Sequence, residues 1–112
     1  MPHLDATFSA LADPTRRAML ARLALGETTI LELAKPFDMT QPAISRHIKV
    51  LEGAGLIIRR VEGTKRPCRL APDGIKEIDR WLGTLRDALE KNYDRLDDVL
   101  ATLKPKPRKD RR

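Results

Sequence analysis

MTQPAISRHIKVLEGAGLI, Met39–Ile57, reads as one capped helix with two unlike faces. Thr40 supplies an N-cap, and Pro42 is tolerated in the first turn because the amides there have no intrahelical acceptor. At roughly 100° per residue, Ile44, His47, Ile48, Leu51 and Ala54 fall on one side. Gln41, Pro42, Ser45, Arg46 and Lys49 fall on the other. Gly53 and Gly55 then end the helix. Such a helix needs a core beneath its apolar side and something polar to meet its outer side.

Upstream, Leu4, Phe8 and Leu11 recur at i, i+4 and i+7, which predicts a short amphipathic helix ending near Asp13-Pro14. That pair reads as the N-cap and first position of a second helix, carrying Met19, Leu20 and Leu23 and stopped by Gly26 after about Leu25. Thr29, with Glu32 three residues on, forms a capping-box pattern opening a third, short helix that holds Ile30, Leu33 and Ala34 and meets Pro36. Downstream, LIIRRVEGTKRPCRLA (Leu56–Ala71) changes period. Branched residues on both sides of a turn at Glu62-Gly63-Thr64-Lys65 predict a β-hairpin, with Pro67 confining its second strand to an edge.

From Asp73 to about Leu103 the pattern is helical again. Ile75, Ile78, Leu82, Leu85, Leu89, Asn92, Leu96, Val99 and Leu103 step by three and four residues, a heptad seam widened by Trp81, Tyr93 and Leu100. A helix of about thirty residues is about 45 Å long, more than a small helix-and-hairpin core covers, so its far half needs a partner surface. The predicted fold class is mainly α with a small β-hairpin, a winged helix-turn-helix in the order α-α-α-α-β-β-α. Residues 1–104 form the domain, with the long helix over about 73–103, and the apolar-free tail 105–112 is expected to be disordered.

A chain of 112 residues fits one core, and with aromatics at only 4% that core is aliphatic. The net charge of +6 is unevenly placed. Thr40–Ala71 holds seven basic residues against Glu52 and Glu62, whereas Asp73–Asp98 holds eight acids against five bases. The middle of the chain is built to meet a negative partner, and the long helix is not. The single cysteine, Cys68, excludes an intramolecular disulfide framework and a clustered-cysteine metal site, and reads as an ordinary strand residue. No run approaches the length of a membrane span and no leader pattern is present, so a cytoplasmic protein without membrane contact is expected.

A helix, a turn, a capped second helix and a basic hairpin can present the second helix to the DNA major groove. Arg46 suits a bidentate bond to guanine, Gln41 suits adenine, and Ser45 suits a base or a phosphate. Lys49 suits a phosphate, and Lys65 and Arg66 at the hairpin tip suit phosphates or a narrow minor groove. Thr40, His47 and Arg60 complete the candidate DNA-contact set, although His47, on the flank of the buried face, equally fits a packed or capping role. No cofactor, metal or catalytic group is expected. His47 has no partner nucleophile and no glycine-rich phosphate loop exists, so the chain does not read as an enzyme.

Three stretches, ALADPTRRAMLARLALGE, TILELAKPFDMTQPAISRHIKVLEGAGLIIRR and GTKRPCRL, together resemble the ArsR/SmtB family of bacterial winged-helix repressors over roughly Leu4–Leu85. The resemblance implies a homodimer formed by the first and last helices, and hence a dimer role for Leu4, Phe8, Leu11, Leu82, Leu85, Leu89, Leu96 and Val99. It also implies a pseudo-palindromic double-stranded DNA operator, often that of the protein's own operon, and release when a small-molecule effector binds. Metal-sensing members carry Cys-x-Cys after the Glu-Leu of the third helix; here Glu32-Leu33 is followed by Ala34, Lys35 and Pro36. Zinc-sensing members use histidine in the last helix, which here has none. The chain therefore resembles the metal-independent branch. Two other readings stay open on the residues alone: a winged-helix module that docks a protein, and a nonspecific architectural DNA binder.

Overall fold

Three local caps start three of the helices in a computed structural model that describes residues 2–103. Asp13 accepts from the Arg16 amide at 3.0 Å and opens α2 (Pro14–Leu23). Thr29 accepts from the Glu32 amide at 3.2 Å and opens α3 (Ile30–Ala34). Thr40 accepts from the Ala43 amide at 3.2 Å and opens α4 (Gln41–Gly53). Each cap satisfies an amide that the helix itself leaves without an acceptor. The reciprocal half of the expected capping box is not made, because the Glu32 carboxylate pairs with Lys35 at 3.0 Å instead. Before these lies α1 (Pro2–Leu11), and after them β2 (Ile57–Arg59), β3 (Pro67–Leu70) and α5 (Pro72–Leu103).

The hairpin belongs to a larger sheet than the sequence predicts. A two-residue strand β1, Thr28–Thr29, precedes α3 and pairs antiparallel with β3, giving the order β1-β3-β2. Pro67 is therefore on the central strand, which corrects the edge assignment. It is tolerated because it is the first residue of β3, where only its carbonyl is needed, accepting from the Arg60 amide at 3.0 Å. The neighbouring ladder bond from the Ile30 amide goes to the Arg66 carbonyl at 3.1 Å, so no donor is missing. At the tip, Glu62 and Lys65 exchange both backbone bonds (3.0 and 2.9 Å) around Gly63, whose φ of 63° is the left-handed conformation a tight hairpin turn requires.

The core lies where α2, α3, α4 and the sheet meet, and is aliphatic as expected. Met19, Leu33, Ile44, Ile48, Leu51 and Leu56 are its largest fully buried members. Cys68 is buried in it too. The one buried polar side chain among the described residues, Thr7 of α1, donates to the Ala54 carbonyl at 3.3 Å and so ties α1 to the end of α4. The start of α5 closes on the same place. A Cβ at Gly74 would stand 2.0 Å from the Gly55 carbonyl oxygen, so only glycine fits.

A first compact unit extends to Ile78, and a second begins at Asp79 within α5. In the second unit Leu82, Leu85, Leu89 and Leu96 recur at the expected spacing and are all exposed. In the first, Phe8 is exposed while Leu4 and Leu11 are half-buried. The Val99 side chain and the tail 105–112 lie outside the described residues.

Gly74→Ala should lower stability by about 1–3 kcal/mol, since the obstacle is backbone that cannot swing aside. Gly83→Ala, also within α5 but meeting only the Arg86 guanidinium at 3.6 Å, should raise it by about 0.5–1 kcal/mol through helix propensity. Urea unfolding monitored by circular dichroism measures both. Equal midpoints would contradict the close approach of Gly74 to Gly55.

Candidate nucleic-acid interface

The buried stripe of α4 decides what its outer face presents. Ile44, Ile48 and Leu51 are 1%, 0% and 0% exposed, which leaves Gln41, Ser45, Arg46 and Lys49 in solvent on the opposite side. Among the described residues these four side chains make no hydrogen bond and no ion pair. Two cations and two hydrogen-bonding side chains on one helix face are thus unengaged. The Thr40 hydroxyl oxygen, by contrast, is used as the cap of the same helix.

The wing shows the opposite economy, with most of its arginines already engaged. Arg60 grips Glu27 through two contacts of 2.9 Å, with Glu62 a further 3.8 Å away. Arg59 grips Glu52 of α4 at 2.9 Å. Arg66 folds back to donate to the Gly63 and Lys65 carbonyls at 3.2 and 3.0 Å, which stiffens the turn. Lys65 is the one charged residue at the tip whose side chain has no partner among the described residues, although its backbone exchanges bonds with Glu62. The pairing is visible in the electrostatics. Hydrogen bonding to Arg60 holds the Glu27 carboxyl below its ordinary range, and the same bond raises Arg60.

Between α3, the first turns of α4 and the wing runs an open groove of ≈ 750 Å³. Gln41 and Ser45 line one side, Thr64, Lys65 and Arg66 the other, with Leu31 at the rim. The fold thereby brings the start of the helix and the wing tip to one surface. Arg46 and Lys49 do not line this groove; they stand on the exposed face of α4.

His47 lies apart from that exposed face. Its half-buried ring meets Arg16, with Arg16 Nη1 3.1 Å from His47 Nδ1, and Asp13 Oδ2 lies 4.0 Å from the same nitrogen. Sequence reasoning did not single out Arg16, which is 31 positions from His47 and carries no periodic signal. The Asp13 carboxyl is held below its ordinary range, chiefly by the Arg16 amide it caps.

Among the described residues no group of three or more His, Cys, Asp or Glu could hold a metal ion, and no helix is long and apolar enough to cross a membrane. Over residues 11–60 the chain matches a family model described as a helix-turn-helix domain. It is 42% identical over 81 residues to HTH-type transcriptional regulator Rv2034 of Mycobacterium tuberculosis, spanning 69% of this chain and 76% of that one. The crystal structure of an ArsR family transcriptional regulator superposes with a TM-score of 0.75 at 42% identity, over 80% of this chain and 92% of the other. The chain belongs to the ArsR family of transcriptional regulators. The fold of this ArsR-family chain is also that of a homodimeric winged helix-turn-helix DNA-binding domain from Mycobacterium bovis, with a TM-score of 0.62 at 26% identity, over 77% of this chain and 80% of that one.

In this ArsR-family regulator Cys68 is sealed: it is 0% exposed, and burial pushes its thiol up from the ordinary value. A thiol reagent acts on exposed thiolate, and here both exposure and thiolate are withheld. Native protein should therefore react with dithionitrobenzoate on the order of 10²-fold more slowly than protein in denaturant. Similar rates would contradict this burial and reopen a redox role for Cys68.

Proposed function

We propose that this ArsR-family regulator works as a cytoplasmic homodimer that reads a pseudo-palindromic operator with α4 and represses transcription until an effector releases it. The observation that carries the reading is the outer face of α4, where Gln41, Ser45, Arg46 and Lys49 are exposed and, among the described residues, unpartnered on a helix whose other face is buried. A helix seated in this way enters a major groove with its polar edge leading.

The roles follow from reach and chemistry. Arg46 takes guanine by its fork, Gln41 takes adenine by its amide, and Ser45 takes a base or a phosphate. Lys49 and Thr40 serve phosphates at the two ends of that contact. Lys65, whose side chain has no partner among the described residues, and the partly engaged Arg66 contact the backbone or the minor groove beside it. Arg60, held by Glu27, contributes chiefly by fixing the wing's base.

The dimer is supported by the exposed apolar residues Leu82, Leu85, Leu89 and Leu96 of α5 and, separately, by exposed Phe8 with half-buried Leu4 and Leu11 of α1. A row of such residues on one helix is costly to leave in water. The Mycobacterium bovis domain of the same fold is homodimeric. The effector is not sensed through Cys-x-Cys, since the chain has one cysteine and it is buried.

The test uses duplexes selected from a randomised library by the wild-type protein. Arg46→Ala should relax the choice at one position in each half-site, at about 1–3 kcal/mol per lost bidentate contact. Lys65→Ala should weaken every sequence alike and lower the salt slope by about 1 per half-site. Unchanged selectivity in Arg46→Ala would remove α4 from the reading role, and an unchanged slope would remove the wing from the interface.

A further inference from the structure

The side chain of Arg16 joins three helices through one guanidinium. Its Nε donates to the Ala10 carbonyl at 2.8 Å and Nη2 to the Ser9 carbonyl at 3.3 Å, both in the last turn of α1. The Ser9 carbonyl also accepts from the Ala12 amide at 3.2 Å, and α1 has no basic residue of its own in its last turn, so Arg16 supplies the cation that this helix end favours. The Arg16 backbone amide is held in turn by Asp13 at the start of α2. The remaining arm, Nη1, reaches His47 Nδ1 of α4 at 3.1 Å.

The chemistry of that last contact is one-sided. A guanidinium has five N–H donors and no acceptor, so the contact is a hydrogen bond in the tautomer that leaves Nδ1 bare and carries the ring proton on Nε2. Asp13 Oδ2, 4.0 Å from the same nitrogen, is beyond hydrogen-bond reach and does not compete for it. The rest of α4's seat is aliphatic packing by Ile44, Ile48 and Leu51, which fixes the buried side but is non-directional. Two directional contacts lie at the far end of the helix, Thr7 to the Ala54 carbonyl and Arg59 to Glu52, so a small roll nearer its start is opposed chiefly at His47. A directional bond from a fork anchored on two other helices opposes that roll. His47 follows Arg46 directly, so the roll it restrains is the one that would swing Arg46 and Lys49 across a base pair.

We propose that Arg16 and His47 are positioning residues for operator reading: the Arg16 fork clamps the His47 ring through Nδ1 and thereby sets the rotation of α4 in the major groove. His47 then acts through its own domain and not as a DNA contact. This rests on the reading of α4 given above.

The test is a double-mutant cycle in operator binding by full-length protein, read by fluorescence anisotropy on the selected duplex and on a scrambled one, with thermal midpoints recorded alongside. His47→Leu keeps the bulk and removes the acceptor; Arg16→Lys keeps the charge and removes the fork. Each should weaken selected-duplex binding by about tenfold, the scale of one hydrogen bond to a charged group, and reduce discrimination against the scrambled duplex. The double variant should be no weaker than the worse single, because both break the same link. His47→Asn offers an amide oxygen to the guanidinium and should return binding to within about threefold of wild type, even where the leucine variant folds poorly.

Losses that multiply in the double variant would mean that His47 meets DNA independently of Arg16 and would overturn the proposal. So would an asparagine variant as weak as the leucine one, or a long-range ¹H–¹⁵N spectrum showing the His47 proton on Nδ1. A wild-type protein that fails to prefer its selected duplex marks a different failure, that of the DNA reading itself, and removes this role with it.

Discussion

Ile44, Ile48 and Leu51 stand one above another on α4 and are buried almost completely, and the outer face of the helix is a consequence of that burial. Each such side chain contributes about 1.5–3 kcal/mol by leaving water, enough in sum to fix which side of the helix faces in. Directional contacts then hold the seated helix in place. Thr7 holds the Ala54 carbonyl, Arg59 holds Glu52, Arg16 holds His47, and Gly55 leaves room only for glycine from α5. A surface that reads base edges must be positioned to within a fraction of a hydrogen-bond length, and packing alone does not supply that.

The same logic divides the cations. Seven basic residues crowd the segment from Thr40 to Ala71, yet they are not equivalent. Arg59 and Arg60 are tied to Glu52 and Glu27, and Arg66 bonds its own turn, so these side chains shape the wing. Arg46, Lys49, Lys65 and Arg69 make no side-chain hydrogen bond or ion pair among the described residues, although Arg69 lies near enough to Glu27 to help lower its carboxyl. A free ammonium or guanidinium in solvent is the group that can exchange its water and counterions for a phosphate or a base. Charge that shapes the wing is thus separated from charge left to the solvent.

What the sequence disclosed and what it concealed differ by range. Asp13, Thr29 and Thr40 were legible as caps because a cap is a contact over three residues. The stripe of α4 and the seam of α5 were legible because period is a local property. β1 was hidden, since two residues carry no period, and with it the central position of Pro67, whose pairing depends on Thr29 38 positions away. The ties that hold the site, Arg16 to His47 and Arg60 to Glu27, span 31 and 33 positions and left no local mark. Glu32 fitted a capping box, but Lys35 one turn on attracted its carboxylate instead.

Sequence-specific contact by α4 in a dimer is the central proposal for this chain. The most direct measurement is fluorescence anisotropy of wild-type protein on DNA from upstream of its own gene and on scrambled DNA, over roughly 50–200 mM salt. With six to ten phosphates neutralised, affinity should fall by about 10³–10⁵-fold across that range, with two chains per site and a clear preference for the upstream DNA. Binding to both DNAs with the same affinity and the same salt slope would contradict the account, because it would leave the free face of α4 with nothing to read.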